Sequence, residues 1–158
     1  EEMWELLRGG TIDMVTSDHA PWPIEQKQAE DIFANPSGAP GVETLFPLLF
    51  SEGVIKRGFS PRQLARILCE QPAKRFKLYP KKGRIALGAD ADFAILDPSI
   101  RWTLHGRDMH SSARWTPYEG FTIQGKVVRT ILRGKVIYDG KEIMAQPGTG
   151  KFIPAIEG

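Results

Sequence analysis

The chain has 158 residues, with 21 Lys and Arg against 19 Asp and Glu, and a formal net charge of +2 when the histidines are neutral. Apolar residues make up 41% of it and charged residues 25%, which is typical of a folded globular chain rather than a disordered one. No apolar run reaches the roughly 20 residues of a membrane span, and the opening residues lack a signal-peptide pattern. Cys69 is the single cysteine, which excludes an internal disulfide. We therefore expect a cytoplasmic protein with no membrane partner.

The apolar residues within positions 3–7 recur at helical spacing and stop at Gly9 and Gly10, so they predict a short helix. The chain opens on Glu1, inside this predicted helix and without a methionine. We therefore expect the chain to be a piece of a longer protein.

The segment after this helix carries the sharpest candidate site. Residues 12–15 form a short apolar run that predicts a buried strand, with Asp18 and His19 at its C-terminal end. Barrels of alternating strands and helices place their chemistry at that end of a strand, which makes Asp18 a candidate catalytic carboxylate. Residue types alone leave a structural alternative open, in which Asp18 caps the next turn and His19 packs against Trp22.

A long loop rich in polar residues, proline and glycine is predicted over residues 22–41, with one helical turn within residues 26–33. The stretch Ser37–Gly41 ends this loop before a helix predicted over residues 41–50 and ended by Gly53. Glycine permits close backbone approach, so the N–H groups of this stretch are candidates to bind a carbonyl or an anion. A flexible loop without function is the alternative.

The next helix has the clearest start signal in the chain. Ser60 stands at the cap position, Pro61 at the first helical position and Gln63 three residues after the cap, which is the pattern of a capping box. Pro72 predicts the start of a further short helix that ends at Phe76.

After residue 80 the apolar pattern changes from helical to strand-like. Residues 93–96 and 127–137 predict strands, and the steps at 133–134 and 139–140 predict hairpin turns. The second half of the chain should therefore consist mostly of strands and turns.

Charge divides along the same line, because residues 1–60 hold 4 basic and 10 acidic side chains, whereas residues 61–158 hold 17 and 9. The basic residues are scattered among apolar ones rather than clustered with aromatics. This pattern favours a solvated or protein-contacting face and predicts no nucleic-acid site.

Three further polar side chains are assigned supporting roles. His105 and His110 have no metal-ligand spacing relative to Asp18, so we expect them at the surface or behind the site. Glu43 stands just inside the predicted helix, where a carboxylate favours the helix dipole.

Seven strings, in order along nearly the whole chain, resemble the C-terminal third of the cyclic amidohydrolases. This group includes hydantoinases, dihydropyrimidinases, allantoinases and class I dihydroorotases. The strings are IDMVTSDHAP (12–21), SGAPGVET (37–44), PAKRFKLY (72–79), KGRIALGADADFAILDP (82–98), TPYEG (116–120), VRTILRGKVIY (128–138) and QPGTG (146–150). Their common order carries the resemblance.

The resemblance implies an α/β fold, the end of a metal-dependent (β/α)₈ TIM barrel followed by part of a small β-sandwich. Residues 1–80 then correspond to strand eight and the closing helices of the barrel. Residues 81–158 correspond to the returning segment of the sandwich and the C-terminal tail. It also implies that the chain contacts the remainder of the barrel or other chains, that the parent protein is a homo-oligomer, and that this piece alone is inactive.

The resemblance further implies a site. Asp18 matches the strand-eight aspartate, a metal ligand and proton shuttle beside two Zn²⁺ ions whose other ligands lie outside this chain. The substrate is a small cyclic amide or ureide, hydrolysed at the ring amide. Ser37 and Gly38 match the loop that presents backbone groups to the ring, and His19 and Trp22 lie beside them as further substrate-binding residues.

Two positions bear on the substrate. Class I dihydroorotases have a substrate-binding histidine at the place of Trp22, so the resemblance favours the hydantoinase, dihydropyrimidinase and allantoinase branches. Hydantoinases tend to have asparagine at the place of Ser37, which leaves the ring contact open. The alternatives are a dihydroorotase and a non-catalytic, dihydropyrimidinase-related scaffold, and the presence of Asp18 speaks against the scaffold.

Overall fold

The structure is a computed structural model that describes residues 1–156. Its helices and strands are α1 (Glu2–Gly9), α2 (Leu45–Leu49), α3 (Pro61–Ala65), α4 (Gln71–Arg75), β1 (Phe93–Thr103), β2 (Thr122–Leu132) and β3 (Lys135–Tyr138). Two π-helical segments, Phe50–Ile55 and Arg66–Glu70, continue α2 and join α3 to α4. Single turns of 3₁₀-helix lie at Ile24–Lys27, Ile32–Ala34 and Gly106–Asp108. Within these residues no helix is long and apolar enough to cross a membrane.

Helix α1 ends where the sequence predicts it. Gly10 adopts φ +79°, and its N–H donates to the carbonyls of Leu6 and Leu7. Glycine enters this left-handed conformation without steric cost, which is why it ends helices so often. The helix buries Leu7 in a first core cluster with Phe59, Leu64 and Ile67.

The helix that begins with α2 extends beyond its predicted end. Gly53 does not end it but lies buried inside the π-helical segment. A Cβ at Gly53 would lie 3.1 Å from Cζ3 of Trp4, so the glycine makes room for the indole of α1. Pro47 is the third residue of α2, within the first turn, where its missing N–H leaves no intrahelical bond unmade.

Helix α3 begins with the predicted capping box. Ser60 Oγ accepts from the N–H of Gln63 at 3.2 Å, and Gln63 Oε1 accepts from the N–H of Ser60 at 2.8 Å. Pro72 is the second residue of α4, directly after the π-helical turn. The wider turn accommodates a residue that has no N–H and whose ring would crowd the carbonyl of Leu68 in a regular α-helix.

Within residues 1–156, the strand predicted over residues 12–15 does not form. This segment has no regular secondary structure, and the N–H of Val15 donates to the carbonyl of Ile67 at 3.2 Å. Pairing begins only at His19, which forms an isolated parallel bridge with Ala39. A strand needs neighbours to accept and donate its backbone hydrogen bonds, and residues 1–156 place no strand beside this segment.

The second half forms a three-stranded antiparallel sheet in the order β1-β2-β3. Strand β1 is longer than predicted, because the register shifts between Asp97 and Arg101 and this irregularity accommodates Pro98. Proline cannot donate to a ladder, so it is tolerated in an edge strand at such a bulge.

Both predicted hairpin turns are confirmed. Arg133 and Gly134 have φ of +47° and +77°, the pair of positive angles that a type I′ turn needs between β2 and β3. At the second turn, Asp139 Oδ1 accepts from the N–H groups of Lys141 and Glu142 at 3.0 and 2.9 Å.

The sheet packs on the helix that begins with α2. Leu48 joins Leu104, Met109 and Ile123 in a second buried cluster. Beside it, Ser51 Oγ accepts from the N–H of Gln124 at 3.1 Å. The helical and sheet parts therefore share apolar and polar contacts across one boundary.

Lys82 ties the start of β1 to the chain before it. Its Nζ lies 2.8 Å from Asp90 Oδ2 and also contacts Asp92 Oδ2, and the lysine contact holds the pKa of the Asp90 carboxyl below its usual range. The other oxygen of Asp92 accepts from the N–H of Arg133 at 2.8 Å, which connects this ion-pair cluster to the β2-β3 turn.

Asp92→Ala should lower the unfolding free energy of the whole protein by about 1–3 kcal/mol, because it removes the acceptor of a turn N–H and one partner of a half-buried lysine. Asp108→Ala is the control, since Asp108 is exposed and its contact with Arg107 is a long one, with 3.8 Å between Oδ1 and Nε. Urea denaturation measures both variants. Equal midpoints for the two would contradict a stabilising role of Asp92.

Candidate functional site

The candidate site is built where residues 17–20 run beside residues 38–42. His19 forms a parallel bridge with Ala39, and the N–H of Ala20 donates to the carbonyl of Ala39 at 3.0 Å. Residues 17–20 and the loop before α2 are thereby joined by backbone contacts, although about 20 residues separate them.

Two glycines allow this approach. Gly38 has φ +92°, and a Cβ there would lie 2.5 Å from the Cβ of Ala20. A Cβ on Gly41 would lie 3.2 Å from the carbonyl oxygen of Ser17. No real Cβ approaches another carbon to 2.5 Å, so an L-side chain at Gly38 would push the two segments apart.

His19 is held by the loop through its ring. Its Nδ1 accepts from the N–H of Gly41 at 3.0 Å and from the N–H of Val42 at 3.3 Å. A nitrogen that accepts carries no proton, so the neutral ring has its proton on Nε2. The expectation that the N–H of Gly41 faces a ligand is therefore wrong, because this donor binds the imidazole.

Asp18 has the least ordinary backbone of the predicted site residues. Its φ is +44°, in the left-handed region that non-glycine residues rarely enter, and its side chain is exposed. Among residues 1–156 its carboxylate accepts no hydrogen bond. It therefore caps no turn that these residues form, unlike the structural alternative raised by the sequence. Strain of this kind is concentrated at functional sites.

The two remaining predicted residues, Trp22 and Ser37, lie on the exposed loop that connects residues 17–20 to residues 38–42. The Trp22 side chain is 44% exposed, and its carbonyl accepts from Nε1 of Trp115 at 2.8 Å. Ser37 is exposed and directly precedes Gly38, whose backbone lies against Ala20.

Sequence reasoning missed the contribution of the connection between β1 and β2. Glu43 lies just before the cap residue of α2, not inside the helix as expected, and it binds His110: Oε1 lies 2.8 Å from Nδ1, and Oε2 accepts from the backbone N–H at 2.8 Å. No local pattern signals a pair separated by 67 residues.

A second pair of the same chemistry lies on the same connection. Glu119 Oε2 accepts from the N–H of Gly106 at 2.8 Å, and its Oε1 lies 2.6 Å from Nδ1 of His105. The hydrogen bond from Gly106, with the one from His105, lowers the pKa of the Glu119 carboxyl. Both histidines are thus engaged with glutamates, and within residues 1–156 no three His, Cys, Asp or Glu side chains cluster as a metal site.

Comparison with known proteins identifies the class. Residues 1–137 match the model of the Amidohydrolase family, so the chain belongs to the amidohydrolase family. It is 40% identical over 153 residues to an allantoinase of Rubrobacter xylanophilus (97% of this chain, 33% of the relative). It is 36% identical over 153 residues to an L-hydantoinase of Paenarthrobacter aurescens (96% and 33%).

Among solved structures, a D-hydantoinase (dihydropyrimidinase) from Thermus sp. superposes with a TM-score of 0.90 at 34% sequence identity, over 95% of this chain and 33% of that one. The resemblance predicted from the sequence is confirmed at the level of the family. The chain spans about a third of the length of these relatives.

Gly38→Ala should destabilise the whole protein by about 1–3 kcal/mol, because the new methyl group must displace Ala20 and with it the Asp18 segment. Gly58→Ala is the matched control, since Gly58 also has a positive φ of +69° but nothing within 4 Å of its added Cβ. Thermal unfolding compares the two variants. If Gly38→Ala loses no more stability than Gly58→Ala, the loss is due to backbone strain alone and not to a close contact with Ala20.

Proposed function

We propose that this chain is the C-terminal part of a metal-dependent enzyme that hydrolyses the ring amide of a small cyclic amide or ureide. The observation that carries the proposal is Asp18: an exposed carboxylate on a strained backbone, without a hydrogen bond from residues 1–156, in a chain of the amidohydrolase family. The names of the relatives, allantoinase and L-hydantoinase, support a cyclic substrate.

The proposed parent fold is a (β/α)₈ barrel with a small β-sandwich beside it. Residues 1–80 would supply strand eight and the closing helices, and residues 81–158 the returning part of the sandwich. Within residues 1–156 no sheet ladder forms along residues 13–17, and this supports the division, because the backbone groups of the segment that other residues do not bind suit a strand that pairs with the remainder of the barrel.

Exposed apolar side chains support a further contact surface. Phe33, Ile85 and Leu87 are 94%, 85% and 101% exposed. Burying side chains this exposed against another chain or domain would remove their apolar surface from water. We assign them to contacts with the remainder of the barrel or with other copies in a homo-oligomer.

The residues present fit one part of a zinc site. A carboxylate oxygen is an accepted zinc ligand, and zinc takes about four ligands, so Asp18 would hold the metal together with ligands from the rest of the protein. When bound, a binuclear zinc centre would supply Lewis-acid activation of water at neutral pH.

The residues of this chain would then carry out proton transfer and substrate binding. Asp18 accepts the proton of the attacking water on a carboxylate oxygen and returns it to the ring nitrogen that leaves. The Nε2–H of His19 is the one ring donor left for the substrate, since Nδ1 is taken by the loop. Backbone groups of Ser37 and Gly38 hold the ring, and Trp22 forms an uncharged wall.

Asp18→Asn in the whole enzyme should lower kcat by at least about 100-fold, the usual scale for a positioned acid–base group, because the amide ligates weakly but shuttles no proton. Metal analysis should find most of the zinc still bound. Asp13→Asn is the control, since Asp13 is an exposed aspartate of the same segment. Turnover near the normal rate in Asp18→Asn would contradict the proposal.

Trp22 should influence the choice of substrate. The indole of Trp22 offers an apolar face and one N–H but no charge, so it cannot pair with a substrate carboxylate as a histidinium can. The enzyme should therefore have a higher kcat/KM for hydantoin, 5-substituted hydantoins, dihydrouracil or allantoin than for dihydroorotate.

Kinetics on this panel separate the alternatives. Dihydroorotate as the best substrate would establish the dihydroorotase alternative. No turnover of any member by zinc-loaded protein would favour the scaffold or another branch of the amidohydrolases. Trp22→His provides a matched variant, which should raise the relative rate on dihydroorotate if the wall faces the substrate.

A further inference from the structure

The connection between β1 and β2 reaches across the molecule to the start of α2. Through its two carboxylate oxygens, Glu43 holds both the backbone N–H and the ring of His110, each at 2.8 Å. A carboxylate that binds one residue at two points fixes orientation as well as distance. The loop before α2 is therefore anchored to the second half of the chain, residues 81–156, which contains the sheet and is called the sheet half below.

The residues next to Glu43 are the ones that hold His19. Gly41 and Val42 donate both of their N–H groups to Nδ1 of His19, and the carbonyl of Gly41 accepts from Oγ1 of Thr44, which is buried, at 3.2 Å. Residues 41–44 thus form one hydrogen-bonded unit between His110 on one side and His19 on the other.

The same connection contacts the site at a second point. Nε1 of Trp115 donates to the carbonyl of Trp22, three residues after His19. Trp115 and Met109 also line a narrow cleft together with His19 and Glu43. The second half of the chain therefore contacts residues 18–22 directly at Trp22 and indirectly at His19, through Glu43 and residues 41–42, although it contributes none of the proposed catalytic groups.

We propose that Glu43, anchored by His110, is a positioning residue of the active site, acting through the N–H groups of Gly41 and Val42 on His19 and so on the adjacent Asp18. The inference rests on the proposed function, because it assigns the geometry of that same site. It requires no contact between Glu43 and the substrate.

The hydrogen-bond chemistry ranks the variants. Glutamine at position 43 keeps both contacts, because its oxygen accepts from the backbone N–H of His110 while its NH₂ donates to Nδ1 of the other ring tautomer. His110→Ala loses the ring contact but keeps the backbone contact. Glu43→Ala loses both contacts and leaves residues 41–42 without this anchor.

Steady-state kinetics of the whole zinc-loaded enzyme test the ranking. Glu43→Ala should lower kcat/KM by about 10-fold to 100-fold, with kcat affected, because small misplacements of reacting groups have effects of this size. His110→Ala should fall between it and Glu43→Gln, which should retain most activity. Zinc content should stay equal throughout.

Glu119→Ala is the matched control, since it breaks the same kind of glutamate–histidine pair on the same connection without contacting residues 41–44. It should leave kcat/KM within about twofold of normal, as expected of an uncoupled site. An equal loss in Glu119→Ala and Glu43→Ala would overturn the inference, because it would indicate only general loosening of the connection.

A double-mutant cycle tests the route through His19. In a His19→Ala background, Glu43→Ala should cost no more than about twofold, because residues that act through one another are not additive. Full additivity of the two losses would overturn the inference.

Amide hydrogen exchange separates this inference from the proposed function, because it needs no substrate. Glu43→Ala should accelerate exchange at Gly41 and Val42, and Glu119→Ala should not. Unchanged exchange at these two amides in Glu43→Ala would overturn the inference whatever the activity. A second outcome is that Glu43→Ala accelerates exchange while the unsubstituted protein hydrolyses no ring amide. This result would overturn the proposed function alone and would support the anchoring by Glu43.

Discussion

The architecture of this chain depends on the close approach of residues 17–20 to residues 38–42. Backbone atoms come within van der Waals distance there because Gly38 and Gly41 carry no Cβ. The approach joins the segment that contains Asp18 to the loop that precedes α2. Since α2 and its π-helical continuation carry the sheet, a shift at this contact would move both the candidate site and the second core.

The imidazole of His19 completes this contact. Two backbone N–H groups that precede a helix would otherwise need water or a ligand, and Nδ1 of His19 accepts from both of them. The consequence is chemical as well as structural. The ring proton is directed to Nε2, and the residue before it, Asp18, is held in a backbone conformation that few non-glycine residues adopt.

The two halves of the chain have different physical roles. The helical half provides the first core around Leu7 and Phe59 and carries every proposed site residue. The sheet half provides rigidity, through the second core and through the Glu43–His110 and Trp22–Trp115 hydrogen bonds.

The features that the sequence alone determined are local ones. The end of α1 at Gly10, the capping box at Ser60 and the turn at Arg133-Gly134 depend on residues at most four apart, so their side chains and backbone preferences decide them. The choice of Asp18 as a candidate likewise came from the order of residues alone, and it stays a prediction. Tertiary structure decided the rest: that Gly53 makes room for an indole, that residues 12–15 lack strand partners within residues 1–156, and that Glu43 binds His110. These outcomes depend on which distant segments meet, and neither spacing nor composition within one segment contains that information.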